Sequence, residues 1–280
     1  YDIALGFFGP YDYLLNHINA AKKVGWVHTD YTKEQVDINY ELKNWEQLNY
    51  ISAVSLECRN SFISVFPSLA GKVLVIENIL DVQFIREQAN AFDVKSEIPN
   101  NGPVRICSVG RFCEAKAFDE AALACRKLID IGYLINWYII GYGPDESLLR
   151  RIIKENHLGN YFIILGKKEN PYPYMKACDI YAQPSRYEGK AVTVREAQIL
   201  GKPVLITNFP TAKSQLENGV DGHICEMGIN GIVEGLKLLI DNSDFRENLA
   251  RTAMRNDYGN QQEINKIYEL IKLSKRAIRK

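Results

Sequence analysis

Val104-Arg-Ile-Cys-Ser-Val-Gly-Arg-Phe-Cys-Glu-Ala-Lys116 opens as a short apolar run, breaks at a glycine and leads into a helix-like segment over 118–129. In that segment apolar residues at 118, 121, 122, 125, 128 and 129 recur at helical spacing. A second apolar run at 136–140 follows. Strand, helix and strand in that order make a unit whose two strands lie parallel with the helix across them. The same alternation extends in both directions. Further strand-like runs lie at 3–7, 24–28, 51–54 and 73–76 before it, and at 161–165, 180–182, 203–207 and 223–225 after it. Helical patterns at 146–155, 192–200 and 232–240 separate the later ones. The pattern predicts an α/β protein, with parallel sheets covered by helices on both faces.

The segment 91–103 is polar and carries two prolines, two asparagines and a glycine between periodic flanks, which predicts a domain boundary there. The expected division is 1–92, 93–258 and a polar C-terminal helix over 259–280, rich in lysine and arginine (Lys272, Lys275, Arg276, Arg279, Lys280), returning to the first domain.

Composition narrows the function. The 280 residues, 46% apolar and 24% charged, can bury a sizeable core. Thirty-four basic and thirty-four acidic residues cancel, which argues against polymeric nucleic acid as a partner. Apolar runs such as 73–76 and 137–140 are too short to cross a bilayer, and no segment reads as a signal peptide. Six cysteines without Cys-x-x-Cys spacing fit a reducing, cytoplasmic setting. The chain starts at Tyr1, without methionine, and runs straight into a strand-like segment.

Chemistry concentrates where strands run into helices, at Ser108-Val-Gly-Arg-Phe112, Ile140-Gly-Tyr-Gly-Pro144 and Ser185-Arg-Tyr-Glu-Gly-Lys-Ala-Val-Thr-Val-Arg-Glu196. Glycine lets the backbone approach a ligand, and a helix N-terminus offers free amides and partial positive charge. The amides around Ala191 to Thr193 therefore suit a phosphate, and Arg111 and Lys116 supply formal charge for the same group. Taken singly, each junction reads equally well as turn punctuation with a solvated basic rim. Glu188 and Glu196, seven residues between them across a loop-to-helix turn, suit two separate hydrogen-bonding tasks along an extended ligand. Two surface glutamates near a helix N-terminus explain them too.

The motifs say more in order than alone. Val109-Gly-Arg-Phe-Cys-Glu-Ala-Lys116, Ile140-Gly-Tyr-Gly-Pro144, Gln183-Pro-Ser-Arg-Tyr-Glu-Gly189 through Arg195-Glu-Ala197, and Gly201-Lys-Pro-Val-Leu205 resemble the nucleotide-sugar half of a retaining family 4 glycosyltransferase. That family has the GT-B fold, two Rossmann-like parallel-sheet domains. The resemblance implies that Arg111 and Lys116 clasp the donor diphosphate, Glu188 contacts the transferred sugar and Glu196 the ribose. It places the distal phosphate on the backbone after Gly189, at Lys190, Ala191 and Val192. Gly110, Gly141 and Gly143 line the donor, and the backbone near Gly166, Lys167 and Lys168 meets the base. In the first half, Gly25-Trp-Val-His-Thr-Asp-Tyr31 resembles a strand end facing the donor, so His28 joins Glu188, Lys116 and Arg111 as the implied catalytic set. Outside that context a lone strand-end histidine is more often structural.

The implied reaction moves a sugar, with retention, from a nucleoside diphosphate sugar (uridine the expected base) to a glycan, a lipid-linked saccharide or a small acceptor. Polysaccharide or cell-surface glycan synthesis is the implied setting. No clustered His/Asp metal signature appears, so no metal and no cofactor are expected. Lys190 and Ala191 stand where the family commonly has Phe, Pro or Gly, and Ala117 where it has Gly. The N-terminal domain reads as incomplete at its front. Two alternatives share the fold: a nucleotide-sugar epimerase, and a non-catalytic donor-binding domain. The basic C-terminal stretch fits either a solvated helix end or peripheral contact with anionic lipid at the inner face of the membrane.

Overall fold

The computed structural model describes residues 1–278, with side chains as far as Lys272. All ten strands expected from the sequence form, and they make two parallel sheets. The chain divides into two compact units, Tyr1–Asp81 with Gly259–Lys280, and Val82–Tyr258.

The first unit has a four-stranded sheet in sequence order, β1 (Ala4–Gly6), β2 (Lys23–Val27), β3 (Tyr50–Ala53) and β4 (Val73–Val75). Val24, Trp26, Ile51 and Ala53 meet Trp45, Phe62 and Phe66 in its core. The helix Glu263–Ile278 adds Leu270, 2% exposed, and Ile267 to that core. Just before it Asn260 Oδ1 accepts from Leu80 N at 2.9 Å, and at its first residue Glu263 Oε2 accepts from Glu77 N at 2.9 Å. The helix is thus amphipathic rather than polar throughout, and the basic side chains at 275, 276, 279 and 280 lie outside the described residues.

The second unit has six strands: β5 (Val104–Val109), β6 (Ile135–Ile140), β7 (Phe162–Gly166), β8 (Ile180–Gln183), β9 (Val204–Thr207) and β10 (His223–Cys225). Their order across the sheet is β10-β9-β8-β5-β6-β7. Alternation along each strand explains the near-continuous apolar runs. Ile106, Trp137, Ile139, Ile180 and Leu205 face one core, while Cys107, Tyr138, Ile140, Tyr181 and Ile206 face the other. Helices Phe118–Asp130 and Gly228–Asp241 cover the first face. Tyr172–Ala177 and Val192–Ile199 cover the second.

The sequence-based boundary at 92/93 is corrected to 81/82. The helix Val82–Gln88 packs with the second unit, where Arg86 Nε donates to Ile199 O at 3.3 Å. Val94 and Ile98, 5% and 1% exposed, sink into its core, so the polar stretch is anchored by two apolar side chains.

The chain lays β6 and β7 to one side of β5, then β8, β9 and β10 to the other. The loops leaving β5 and β8 therefore diverge at a switch point, the place where such sheets hold ligands.

Candidate active site

The loop after β5 runs through Gly110 and Arg111 into a single 3-10 turn, Glu114–Lys116. Ala117 closes it in the left-handed region at φ 51°, which accounts for a preference for glycine there. The Lys116 stem crosses Gly110 so closely that a Cβ there would lie 3.4 Å from Lys116 Cδ and Cε. The ammonium reaches across to the loop after β8, with Nζ 2.6 and 2.8 Å from the two Glu188 oxygens.

Glu188 is 9% exposed, and its environment is built to hold a carboxylate. Ser185 Oγ donates to Oε1 at 2.6 Å and Gln183 Nε2 to the same oxygen at 3.4 Å. Tyr181 OH, donating to Gln183 Oε1 at 2.8 Å, turns that amide so that its nitrogen faces the acid. A fully paired buried network of this kind fixes one arrangement. The loop backbone is pinned as well, since Thr211 Oγ1 donates to Glu188 O at 3.0 Å and Thr207 Oγ1 to Ser185 O at 2.6 Å.

Arg186 ties the two loops together. Its guanidinium donates to both Asp119 oxygens at 3.0 and 2.7 Å, to Glu120 at 2.8 Å and to Glu114 O at 2.7 Å. Its amide donates to Ala115 O at 2.8 Å. A planar fork with this many acceptors is a rigid clamp. Lys116 is consequently held from its own loop and from the loop of its partner acid.

Glu196, half-buried on the helix Val192–Ile199, accepts from Tyr172 OH at 2.9 Å. Burial pushes its carboxyl above the ordinary range, and the Tyr172 bond opposes that. No side chain caps this helix from its own N-cap residue, Ala191. Of the amides expected to meet a phosphate, that of Ala191 is already taken, donating to Gln215 Oε1 at 3.0 Å.

The other expected residues fall into place unevenly. Gly141 and Gly143 are glycines for packing reasons, because a Cβ on them would meet Gly110 O at 1.9 Å and Phe112 O at 2.2 Å. Gly166, at φ +73°, accepts from Gly141 N at 3.0 Å. Lys167 is exposed, its ammonium 5.5 Å from the Tyr142 ring centroid. Lys168 is engaged with Glu97 instead of standing free at the strand end. Arg111 is exposed, and its side chain has no partner among the described residues. Gly189 is buried, Lys190 half-buried, and Val192 begins the helix.

His28 belongs to the first unit, just past β2. Its Nε2 is 2.7 Å from Phe7 O, and since a carbonyl only accepts, that nitrogen carries the hydrogen. The ring stacks on Phe8 at 4.6 Å, and burial pushes its pKa down.

Sequence reasoning passed over Ser185, Arg186, Thr211, Tyr172 and Gln215. Ser185 and Arg186 stood inside a quoted motif, so the signal was present but their partners were not. Among the described residues no group of three or more His, Cys, Asp or Glu is placed to hold a metal ion. Among them, too, no helix is long and apolar enough to cross a membrane.

Comparison with known proteins follows the same stretch. A family model described as glycosyl transferases group 1 matches residues 90–256. The amylovoran biosynthesis glycosyltransferase AmsK of Erwinia amylovora is 31% identical over 145 residues, covering 49% of this chain and 36% of AmsK. The capsular polysaccharide biosynthesis glycosyltransferase CapM of Staphylococcus aureus is 25% identical over 244 residues, 79% of this chain and 64% of CapM. The chain therefore spans less than two thirds of either relative. Among solved structures, Anabaena HepE in complex with UDP and glucose superposes with a TM-score of 0.78 at 17% identity, over 90% of this chain and 71% of that one. At that identity the likeness shows the fold, and the fold is GT-B.

Proposed function

The chain belongs to the glycosyl transferases group 1 family, and from that premise we propose that it transfers a sugar from a nucleoside diphosphate sugar, with uridine as the base. The observation that carries this reading is Lys116 Nζ at 2.6 Å from Glu188 at the strand switch point. A cation suited to a diphosphate and a carboxylate suited to sugar hydroxyls meet where this class of sheet holds its ligands. The ligands named for HepE, UDP and glucose, are of that chemistry.

Breaking the bond between the sugar and the diphosphate puts negative charge on the leaving phosphate and positive character on the sugar. Lys116, Arg111 and the N-terminus of the helix Val192–Ile199 stabilise the first electrostatically, without a metal ion. Glu188 accepts from the sugar and Glu196 from the ribose. The acceptor oxygen bonds to the carbon that the phosphate leaves, on the same face, and its proton passes to the departing phosphate oxygen. No protein nucleophile is needed. The acceptor is a glycan, a lipid-linked saccharide or a small hydroxyl compound. The setting is polysaccharide or cell-surface glycan synthesis in the cytoplasm.

A thermal-shift screen against nucleoside diphosphates and their sugar conjugates tests the reading. A bound ligand raises the melting temperature by mass action. A response to uridine diphosphates is expected; no response to any nucleotide contradicts it.

A further inference from the structure

Gln183 ends β8, and both atoms of its side-chain amide are engaged twice. The residue is buried, at 0% exposed. Its Oε1 accepts from Tyr181 OH at 2.8 Å and from Thr193 Oγ1 at 3.3 Å, and its Nε2 donates to Ser185 Oγ at 2.9 Å and to Glu188 Oε1 at 3.4 Å. Turned over, the amide would set its oxygen against the Glu188 carboxylate, acceptor against acceptor. Ser185 Oγ carries a single hydrogen. Because the oxygen already receives the Gln183 N–H, that hydrogen points to Glu188 Oε1, 2.6 Å away. The wire from Tyr181 through Gln183 and Ser185 to Glu188 therefore runs in one direction, with every donor aimed toward the acid. At 3.4 Å the direct contact between Gln183 and the acid is long, so the amide acts on Glu188 mainly through Ser185. β8 is paired on both sides, with β5 and β9, so the amide is rooted on an inner strand while Glu188 sits on the loop that follows. Of the acid's two oxygens, Oε1 takes the Ser185 hydroxyl and one Lys116 contact, and Oε2 the other Lys116 contact at 2.8 Å.

We propose that Gln183 is a positioning residue for Glu188: by fixing the direction of the Ser185 hydroxyl it holds Oε1 in place and turns Oε2 toward the transferred sugar. This rests on the nucleotide-sugar reading and adds to it a residue that acts through another and touches no ligand itself. The charged and titratable groups around the amide are Lys116 on the turn after β5, Cys107 on β5, Tyr181 and Glu188 at either end of the wire, and Glu196 on the helix Val192–Ile199. Burial keeps the Tyr181 phenol protonated, and a bond to Cys178 together with burial does the same for the Cys107 thiol. Gln183→Glu keeps the shape of the side chain and reverses the wire. Ionised, the new carboxylate accepts from Ser185 and draws its hydroxyl away from Glu188; protonated, it donates to Ser185 as the amide does. Two carboxyls that share a site hold a proton to higher pH than an isolated one, so acid restores the original direction.

Calorimetric titration of the full chain with UDP, UDP-glucose, UDP-galactose and the N-acetylamino counterparts of both conjugates tests this, at about pH 8 and about pH 5.5. The readout is the Kd of UDP divided by the Kd of the tightest sugar conjugate, compared with the wild type at the same pH. Titration of the ligand and of Glu196, and any general effect of charge on the diphosphate, cancel in that comparison. In Gln183→Glu the ratio is expected to fall about 10-fold near the higher pH and to return to within about 2-fold of the wild type near the lower. In Gln183→Met, which lacks donor and acceptor alike, it is expected to fall about 10-fold at both. A residue that serves the fold alone weakens UDP and its sugar conjugates equally. An unchanged ratio in folded Gln183→Met therefore overturns the proposal and leaves the nucleotide reading standing, as does a loss in Gln183→Glu that acid does not reverse. If Gln183→Glu does not melt cooperatively near the higher pH, Gln183→Met alone decides. A wild type that binds UDP and gains nothing from any of the sugars overturns the sugar contact of Glu188 and the proposal with it. A wild type that binds no uridine diphosphate overturns the nucleotide reading itself.

Discussion

Lys116 and Glu188, 72 residues apart in the chain, meet as an ion pair with Nζ 2.6 Å from Oε1. Their side chains are only 20% and 9% exposed, so the pair is screened little by solvent. Without a ligand each neutralises the other. On the proposed function a diphosphate entering beside Lys116 would share that cation, while Ser185 and Gln183 hold the acid independently of it.

Lys116→Met separates chemistry from folding. Turnover of a nucleotide sugar is expected to fall by about 10²- to 10³-fold, the usual effect of removing one donor that stabilises developing charge. Glu188 then loses its counter-charge but keeps the Ser185 hydroxyl at 2.6 Å. Stability should fall by about 2 to 3 kcal/mol, toward the low end for breaking a buried pair. Urea titration and initial rates measure the two effects on the same samples.

Glu196 gives stability a pH dependence of defined sign. Burial raises its carboxyl above the ordinary 4.5. The folded protein therefore holds that proton more tightly than the unfolded chain, and stability from this group is lost as pH rises through the interval between the two values. Glu196→Gln removes the loss. Its advantage over the wild type is expected to be absent near about pH 4 and to grow as the pH rises through the raised value, in urea titrations across that range. A constant difference at all pH values would contradict the assignment.

How far the sequence carried is clearest in particular elements. The strands were readable because both faces are buried, so Ile106 and Cys107, or Trp137 and Tyr138, appear as continuous apolar runs. The boundary was not, because Val94 and Ile98 are two isolated apolar residues with no period, and only packing reveals that they anchor the segment. The ordered motifs pointed to Lys116 and Glu188 as ligand contacts, yet nothing local says that two residues 72 apart pair with each other. That follows from β5 and β8 being neighbours. Gln215, which ends the short helix Ala212–Gln215 and accepts from Ala191 N, has no sequence signal at all.

Gly141 and Gly166 should respond very differently to the same change. An Ala at Gly141 places its Cβ 1.9 Å from Gly110 O, so the β5 and β6 loops must separate. A loss of about 4 kcal/mol or more is expected, in the range reserved for strain at special backbone positions. At Gly166 nothing lies within 4 Å, and only the left-handed φ of +73° opposes a side chain. Gly166→Ala is expected to cost about 1 kcal/mol. Equal melting temperatures for the two variants would contradict the loop packing.

Arg186→Lys tests whether the clamp positions Lys116. Lysine keeps the charge but cannot bridge Asp119, Glu120 and Glu114 O at once. A stability loss of about 1 to 2 kcal/mol is expected, since the guanidinium is about a quarter exposed at 26%. The donor KM should rise more than kcat falls, because Arg186 acts by placing the binding loop. An unchanged KM would make the clamp purely structural.

The most direct test of the central claim is an equilibrium calorimetric titration of UDP into the wild type and into Lys116→Met. Saturable binding by the wild type that weakens at least about 10-fold in the variant, with a melting transition still cooperative, is the predicted result. No saturable UDP binding by the folded wild type, or equal affinity in the two proteins, would contradict the account.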